Sequence, residues 1–483
     1  MKFNKKIKNI IWLKQEHPLP KKSEILILAF LIALPNLVFL ILAFYGETSR
    51  PLINIDYLVI FCVMVIPYAV ARILGSILFI FAMLIDVLMF VIQIFPFLNI
   101  AAIRYLASFV SIAPNEYLII IGVFTAVIII IFSIIFYLSN SKRINKIYSQ
   151  FILIIFIIIS YVFMSLGVSY NNFKGILGRN NYYIANSQSK LYQEMTQTNF
   201  WKDANAVPRL FPYWSDKQRS VNFLQSPESD KILYIVAESW GVLRNIQAQH
   251  DIMWSINTQR LNLEFVRDGV FQASGATVTA ELRELCNLRI SNNGFALSQT
   301  EQQKFANCLP NQLAEKGFKT YALHGTSGLL YDRTDWYKKA GFKHTWFGEN
   351  FLNLRRCTAF KGVCDSELIN VVGQSFQQNA QNKIFFYWMT LTSHQPYSEK
   401  DIKNHRFDCK KYNMKETGDA CHNAQLQAQF FDDLAHLIQK PEMQGVEVMV
   451  VGDHQPPVWG DEIRHIRPLM VSYLHFKTKT IIK

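Results

Sequence analysis

The sequence predicts two structural parts: an α-helical membrane domain with five transmembrane helices, followed by an α/β domain with a largely parallel sheet. The first third of the 483-residue chain is strongly apolar, whereas the remainder has the composition of a globular protein. The apolar third contains five runs that approach or exceed the ~20 residues needed to cross a bilayer. After residue 230, short apolar runs alternate with amphipathic segments, which is typical of a parallel sheet covered by helices.

The five apolar runs define the expected membrane domain. They cover residues 25–45, 57–71, 73–95, 118–138 and 151–168. A cleaved signal peptide is a poor alternative for the first run, because four more follow it. We therefore expect a transmembrane domain over residues 1–168, a connector with interfacial helices over 169–228 and the α/β domain over 229–483. Within the connector, residues 189–207 mix aromatic and charged side chains as a helix at the lipid surface does, and a polar linker helix is an equal alternative.

The placement of lysine and arginine predicts the orientation. Seven lysines lie in the first 22 residues, and a second basic cluster follows the fourth apolar run. The positive-inside rule therefore puts the N-terminus in the cytoplasm, and five crossings put everything after about residue 169 outside. The formal net charge of +13 is explained partly by this signal and by attraction to anionic lipid, and we do not expect nucleic acid as a partner.

The cysteines agree with an exported second domain. Cys62 lies in an apolar run, and the other six all follow residue 280. An even number of cysteines in an exported domain predicts disulfides. Among the fifteen possible pairings we favour the local ones, 286–308, 357–364 and 409–421. A zinc cluster is the alternative interpretation, although the sequence has no CxxC pair.

Four predicted strands of the α/β domain end next to polar residues of the kind that bind ligands. "KILYIVAES" ends at Glu238, "KTYALHG" at His324, "KIFFYWMTLTSH" at His394 and "VEVMVVGDH" at Asp453 and His454. In open α/β sheets, ligands bind at the carboxyl ends of the strands. Four such ends in one domain predict a functional site at that edge.

Glu238, Asp453 and His454 supply two carboxylates and an imidazole. This set suits a divalent metal with one coordination position left open. Individually, each residue is also compatible with a surface or capping role. Together they predict a metal site, for which Zn²⁺ is our first expectation and Mn²⁺ the alternative.

The stretch "GATVTAELREL", residues 275–285, contains a candidate nucleophile. A threonine oxygen in the open metal position would have a lowered pKa and could attack phosphorus. Thr279 would lie near a helix N-terminus, where anions are favoured, and Arg283 would share its face of that helix. The alternative is an ordinary helix start with Thr279 as the cap.

These residues resemble the alkaline phosphatase and sulfatase superfamily, in its membrane-anchored phosphotransferase branch. That branch includes lipoteichoic acid synthase and the phosphoethanolamine transferases that modify lipid A. The resemblance covers the apolar region and the domain from about residue 231 to the end. It implies that Glu238, Thr279, Asp453 and His454 hold the metal, with Thr279 as the nucleophile.

The resemblance also implies substrate-binding residues. "HGTSGLLYDRTDWYKKAGF" is similar to the family segment whose arginine binds the substrate phosphate, which gives Arg333 that role, with His324 and Tyr331 beside it. "TLTSHQPY" is similar to a segment with a further active-site histidine, here His394. His465 is similar in placement to a late histidine near a second metal. Arg283 corresponds to the sulfatase arginine.

The sequence departs from the family pattern around the nucleophile. The spacing from Gly275 favours Thr277, whereas the downstream alanine and Arg283 favour Thr279, which we select. Sulfatases have Cys or Ser at this position and oxidise it to an aldehyde. Threonine has no such route, and sulfate ester hydrolysis is therefore not expected.

The implied function is two-step transfer of a phospholipid headgroup phosphate to a cell-envelope glycan, such as lipopolysaccharide, through a phospho-threonine intermediate. The expected donor is phosphatidylethanolamine, because the predicted disulfides resemble those of the phosphoethanolamine transferases. Phosphatidylglycerol, with phosphoglycerol transfer, is the alternative. The implied location is the bacterial inner membrane, with a multi-pass anchor and the catalytic domain in the periplasm.

Two other functions remain open. A non-catalytic lipid-binding sensor on the same fold would tolerate loss of the metal-binding residues, all of which are present. A phosphodiesterase would need the same residues as a transferase. Asp86, inside an apolar run, is either functional or part of a hydrogen bond between helices.

Overall fold

The computed structural model divides the chain into two compact units. One comprises Met1–Pro96 and Ile119–Trp201, and the other comprises Phe97–Leu118 and Lys202–Lys483. The residues described are 21–45, 48, 50–94, 105, 107, 110, 115–139, 146–165, 184–185, 207–213, 220–290 and 295–480. The predicted interfacial helix over 189–207 and most of the N-terminal lysines lie outside them.

The first unit is helical. Its helices are α1 (Lys22–Tyr45), α2 (Ile55–Met64), α3 (Ala69–Ile94), α4 (Asn115–Ser139) and α5 (Lys146–Ser165). Two short strands, β1 (Ile53–Asn54) and β2 (Ile184–Ala185), pair in parallel. Apolar side chains of the helices pack into a common core that includes Phe61, Phe79 and Ile135.

Within the described ranges, three helices are long and apolar enough to cross a membrane: Lys22–Phe44, Ala69–Val91 and Ile121–Ser139. The second and fifth predicted spans correspond to the shorter apolar helices Ile55–Met64 and Ile147–Val162. Ten residues of helix span about 15 Å, half of the ~30 Å hydrocarbon core. Pro67 lies in the second predicted span, and a helix rarely continues through proline. The prediction of five crossings is therefore not confirmed.

Asp86 belongs to a buried polar network in the first unit. Its Oδ2 accepts hydrogen bonds from Arg50 Nη2 at 2.9 Å and from the Tyr57 hydroxyl at 2.8 Å. Arg50 also donates to Asn36 Oδ1 at 3.2 Å. Buried charges in an apolar environment are tolerated when they are paired and hydrogen-bonded. These contacts fit the structural interpretation of Asp86, a bond between helical segments.

The second unit is built on an eight-stranded mixed sheet. Its strands are β4 (Lys231–Ala237), β5 (Gly241–Leu243), β6 (Leu263–Gln272), β8 (Lys319–His324), β9 (His344–Trp346), β10 (Ile384–Met389), β11 (Glu447–Gly452) and β12 (Ile466–Thr478). The order is β5-β12-β11-β4-β10-β8-β9, with β6 also paired to β12. The five strands from β11 to β9 are parallel, and β12 is antiparallel to β11, β5 and β6. A separate antiparallel pair joins β3 (Leu210–Pro212) to β7 (Leu288–Ile290).

Helices accompany the sheet, as expected for strands joined by crossovers. They are α6 (Ser220–Phe223), α7 (Ile246–Ile252), α8 (Trp254–Asn257), α9 (Thr277–Cys286), α10 (Leu309–Glu315), α11 (Arg333–Ala340), α12 (Asp365–Gln378) and α13 (Asp419–Ile438). Strands β10 and β11 are buried along their whole length. That pattern is typical of parallel strands with both faces covered. The prediction of an α/β domain with a largely parallel sheet is confirmed, with an antiparallel edge added.

All three predicted disulfides are present: Cys286–Cys308, Cys357–Cys364 and Cys409–Cys421. Cys62 is the free cysteine, as predicted. Cys357 and Cys364 also lie near Asp401 in an arrangement that would suit a metal. Their sulfurs are joined to each other, so the alternative of a zinc cluster is not supported.

Removing a disulfide should destabilise the second unit more when the disulfide closes a longer loop, because loop-closure entropy rises with the logarithm of loop length. The pairs span 22, 12 and 7 residues. Loop-closure entropy then predicts the largest loss, about 3 kcal/mol, for Cys286→Ser with Cys308→Ser, and the smallest for the 357–364 pair. Thermal unfolding of the detergent-solubilised variants, followed by tryptophan fluorescence, tests this ranking. A lower midpoint for the 357–364 variant than for the 286–308 variant would contradict it.

Candidate active site

The candidate site lies at the carboxyl edge of the parallel strands. Strands β4 and β11 are neighbours, and Ala237 pairs with Gly452 at their ends. The next residue on each strand is a carboxylate, Glu238 on β4 and Asp453 on β11. Two strands that the sequence separates by about 200 residues thus bring two acidic side chains together.

Glu238, Asp453 and His454 form a compact cluster. One ligand-type atom from each lies within 4.8 Å of the others. His454 Nε2 lies 3.2 Å from Asp453 Oδ2 and 3.5 Å from Glu238 Oε1. Both carboxylates are fully buried, at 1% exposure each. The predicted association of these three residues is present in the structure.

The two oxygens of Asp453 have different surroundings. Oδ1 accepts hydrogen bonds from the backbone N–H groups of Ser239 at 2.7 Å and His454 at 2.6 Å. Oδ2 is buried and accepts no hydrogen bond within the described part of the chain. Its near neighbour is His454 Nε2 at 3.2 Å. A buried carboxylate oxygen that accepts no hydrogen bond is costly, and coordination of a cation would remove that cost. Two carboxylates and an imidazole are also ligands suited to Zn²⁺ or Mn²⁺, so the residues fit a divalent metal.

The charges within the cluster perturb one another. Burial, followed by the Glu238 carboxylate, raises the pKa of Asp453 to about 6. Burial also raises the pKa of Glu238. Burial alone would lower the pKa of His454, but the two carboxylates raise it. Perturbed pKa values of this kind are common at functional sites, where charged groups are buried close together.

The backbone of Glu238 is fixed from several directions. Its N–H donates to Thr390 Oγ1 at 2.8 Å, and its carbonyl accepts from Ser393 Oγ at 2.6 Å and Gln427 Nε2 at 2.7 Å. Ser239 follows in the left-handed region, with φ 55°. Its hydroxyl donates to Glu238 Oε1 at 2.9 Å. The carboxylate is therefore held in place before any ligand arrives.

The structure brings Thr277, rather than Thr279, to the cluster. Thr277 is the first residue of α9, and its hydroxyl donates to Glu238 Oε2 at 3.3 Å. Thr279 is the only residue of α9 that is not buried, and its side chain lies beside Gly275, where an added Cβ would be 3.2 Å from it. Residues advance by about 100° along a helix, so two positions turn a side chain about 200° away. With α9 beginning at Thr277, the expected position of Thr279 at the metal is not observed.

Arg333 also lies next to the cluster, and it forms a buried ion pair with Glu281. Its Nη2 and Nε lie 2.8 Å and 3.0 Å from Glu281 Oε2. Glu281 also accepts hydrogen bonds from the hydroxyls of Tyr337 and Tyr387. Burial alone would lower the pKa of Arg333, but Glu281 raises it, so the guanidinium remains charged. Glu281 is four residues after Thr277 and shares its face of α9.

Arg283 does not line the site as expected of a substrate-binding residue. It forms an ion pair with Glu284 at 2.5 Å and donates to the carbonyls of Gly452 at 3.1 Å and Asp453 at 3.3 Å. Its guanidinium therefore supports the backbone that carries Asp453. Arg283 is accordingly not among the residues that line the cavity.

A small cavity of about 20 Å³ adjoins the cluster. It is lined by Glu238, Thr277, His324, Thr326, Leu330, Tyr331, Arg333, Phe360, Leu391 and His394. One or two water molecules would fill this volume. The cavity therefore suits an ion or a phosphoryl oxygen, and larger parts of a substrate would lie above it.

Both predicted cavity histidines are held in the neutral form. His324 Nδ1 lies 2.9 Å from the Met389 carbonyl, and His394 Nδ1 lies 2.5 Å from that of Gln395. Burial, and for His324 also Arg333, lowers both pKa values, that of His394 to about 4. Because a carbonyl only accepts, each Nδ1 carries the hydrogen, and each Nε2 is left as an acceptor.

Of the two remaining predicted substrate-binding residues, Tyr331 lines the cavity and His465 does not. Tyr331 lines the cavity, with its ring 5.1 Å from the Arg333 guanidinium carbon. His465 lies at the end of a 3₁₀ turn, 3.5 Å from Arg464 Nε, and is not among the residues that line the cavity. The expected place of His465 at the substrate site, near a second metal, is therefore not observed in the described residues.

Sequence reasoning missed Glu281, Thr326 and Phe360. Glu281 was visible as a carboxylate four residues after a candidate nucleophile, a spacing that places both on one helix face. Thr326 lines the cavity from a loop, and Phe360 lines it from the 3₁₀ turn Ala359–Lys361. Nothing in their local sequence signals that position.

The fold and the site agree with one known family. Residues 230–466 match the family profile described as Sulfatase. The match covers slightly less than half of the chain, and over this segment the resemblance to the sulfatases is confirmed. No curated protein matches the sequence significantly.

Solved structures with similarity to this chain include three transferases or synthases. Lipooligosaccharide phosphoethanolamine transferase A (EptA) from Neisseria meningitidis, an integral membrane protein, is 13% identical, with a TM-score of 0.43 over 88% of this chain and 80% of that one. The phosphoglycerol transferase GacH from Streptococcus pyogenes, in complex with sn-glycerol-1-phosphate, is 16% identical, with a TM-score of 0.40 over 56% and 79%. The lipoteichoic acid synthase LtaP from Listeria monocytogenes is 14% identical, with a TM-score of 0.38 over 55% and 72%.

Loss of either cluster carboxylate should reduce bound metal. Glu238→Ala or Asp453→Ala removes one of three protein ligands, so purified protein should contain much less metal per chain by elemental analysis. Asp251→Asn, which changes a carboxylate that binds Lys411 and Tyr412, is the control and should keep its metal. Equal metal content in all variants would contradict a metal site at the cluster.

The Glu281–Arg333 pair should also contribute strongly to stability. Glu281→Gln leaves Arg333 buried without its counter-charge, which typically costs about 3–5 kcal/mol. Glu416→Gln removes an exposed pair with Lys410 and should cost less than about 1 kcal/mol. Denaturant unfolding of the detergent-solubilised proteins measures both. Similar losses in the free energy of unfolding for the two variants would contradict this expectation.

Proposed function

We propose that the protein is a membrane-anchored phosphotransferase that moves a phospholipid headgroup phosphate to a cell-envelope glycan. The observation that carries the proposal is the Thr277 hydroxyl, held 3.3 Å from Glu238 Oε2 in the cavity. A buried hydroxyl at a helix N-terminus, next to a candidate metal cluster and a charged arginine, suits attack on phosphorus. Sulfate ester hydrolysis is not proposed, because threonine cannot be oxidised to the aldehyde that sulfatases use.

The proposed nucleophile is Thr277, and not Thr279 as expected from the sequence. A divalent metal bound by Glu238, Asp453 and His454 would lower the pKa of a nearby hydroxyl and polarise a phosphoryl oxygen. Arg333 uses one N–H group on each of its three nitrogens, Nε, Nη1 and Nη2, for hydrogen bonds to Glu281 and the Leu330 carbonyl. A guanidinium has five N–H donors, so two remain to bind phosphate oxygens.

The first step would form a bond between Thr277 Oγ1 and phosphorus and break the bond from phosphorus to the diacylglycerol oxygen. The hydroxyl proton moves toward Glu238 Oε2, the acceptor of its hydrogen bond, and diacylglycerol leaves with a proton from solvent. In the second step, a sugar hydroxyl attacks phosphorus and restores Thr277. His394 Nε2 is the neutral base available to take the proton of that sugar hydroxyl.

The anchor supports a donor that stays in the bilayer. The apolar helices would keep the enzyme and its lipid donor at high effective concentration. Five crossings would place the two chain ends on opposite faces and the link between α3 and α4 on the same face as the catalytic domain, whereas three crossings by the long helices alone would put that link on the other face. With the lysines in the cytoplasm, the catalytic domain would face the periplasm of the bacterial inner membrane. The disulfides of the second unit suit that compartment.

The nucleophile is tested by trapping its adduct. After incubation with phosphatidylethanolamine or phosphatidylglycerol, tryptic-peptide mass spectrometry should find a headgroup phosphate on Thr277, and the mass of the adduct identifies the donor. Thr277→Ala should lower the rate at least about 1,000-fold and abolish the adduct, whereas Thr277→Ser keeps an oxygen and some activity. Metal content should stay unchanged in both variants.

Thr279→Ala is the matched control, because it removes the same group two residues away and should retain both adduct and activity. An adduct on Thr279 would return the role to that residue. Transfer to the glycan without an adduct on either threonine would contradict the two-step mechanism. A protein that binds these lipids but never releases diacylglycerol would instead support the sensor alternative.

A further inference from the structure

A strained turn positions Tyr331 and Arg333, two of the residues that line the cavity. Tyr331 and Asp332 both lie in the left-handed region, with φ of 59° and 54°. Such conformations cost roughly 1 kcal/mol or more for each residue other than glycine, and they persist when surrounding contacts impose them. Arg333 follows directly as the first residue of α11. The contacts that impose this turn therefore also set the position of Arg333.

Those contacts converge on the Asp332 carboxylate. Oδ2 accepts from the Ser298 N–H at 3.0 Å and the Ser298 hydroxyl at 2.6 Å. Oδ1 accepts from the Tyr105 hydroxyl at 2.8 Å, which also lies 3.1 Å from the Leu329 carbonyl. Asp332 occupies the N-cap position of α11, yet its side chain caps no N–H group of that helix. Aspartate at an N-cap usually makes that bond, so here the carboxylate is committed to Tyr105 and Ser298.

Tyr105 comes from a distant part of the sequence. It lies between α3, which ends at Ile94, and α4, which begins at Asn115. Both helices contain candidate membrane spans. The segment Phe97–Leu118 nevertheless belongs to the same compact unit as the sulfatase-family domain. One side chain from the link between two apolar helices thus contacts the turn that carries Tyr331 and Arg333.

We propose that Tyr105 is a positioning residue for phosphate binding. Its hydroxyl holds Asp332, and Asp332 holds the strained turn that directs Arg333 and Tyr331 to the cavity. The headgroup-binding site is then complete only when the Tyr105 side chain is in place. This inference rests on the phosphate-binding role proposed above for Arg333.

The test measures binding of inorganic phosphate to the full-length, metal-loaded protein in detergent by titration calorimetry. Tyr105→Phe should weaken phosphate binding about fivefold to tenfold, as expected when a hydrogen bond to a charged group that orders a binding residue is lost. Asp332→Asn should weaken it at least as much, because the amide group keeps one acceptor oxygen and its nitrogen cannot accept the hydrogen bonds made to the other carboxylate oxygen. Metal content and the thermal unfolding midpoint of Tyr105→Phe should match those of the wild type.

Tyr412→Phe is the matched control, because it also removes a tyrosine–aspartate hydrogen bond, to Asp251, from a tyrosine that does not line the cavity. Its phosphate affinity should equal that of the wild type. Phosphate binding by Tyr105→Phe within twofold of the wild type, or an equal loss in Tyr412→Phe, would overturn the role of Tyr105 alone. Absence of phosphate binding by the wild type would overturn the role of Arg333 and the proposed function with it.

Discussion

The burial of two carboxylates side by side is the constraint on which this sheet edge depends. Glu238 and Asp453 follow neighbouring strands and are almost entirely shielded from water. Like charges repel strongly at low dielectric unless a cation and directed donors offset the repulsion. Backbone N–H groups, hydroxyls and the amide of Gln427 surround the pair. The loops at this edge are therefore ordered by polar contacts, while the apolar core lies deeper in the sheet.

The residues at the strand ends could be predicted from sequence because the geometry of a parallel sheet fixes where they lie. Once a buried parallel strand is recognised, the residue after it must lie at the carboxyl edge, next to its counterparts. Glu238, His324 and Asp453 were identified in this way, and His394 lies five residues beyond β10 yet still lines the cavity. The disulfides were equally accessible, since each joins cysteines that are near in the chain.

Features that depend on helix phase or on distant partners could not be predicted. Choosing between Thr277 and Thr279 requires the first residue of α9, because a shift of two positions turns a side chain to the other side of the helix. The pairing of Glu281 with Arg333 joins residues 52 positions apart, and no local pattern encodes it. For the membrane helices, hydropathy located the apolar runs but not the length of each helix. The second run contains Pro67, and the helix there ends before it.

Helix α9 has a consequence for how the protein can vary. Nine of its ten residues are buried, including Glu281, Arg283 and Glu284. Glu281 pairs with Arg333, whereas Arg283 and Glu284 pair with each other and also bind neighbouring backbone and Tyr234. A helix that is enclosed on all sides cannot accept a new side chain without disturbing a neighbour. Thr279 is the one position where the surroundings permit exchange. Adaptation to another headgroup or acceptor would therefore have to come from loops above the cavity, with the helix that begins at Thr277 kept as a fixed element.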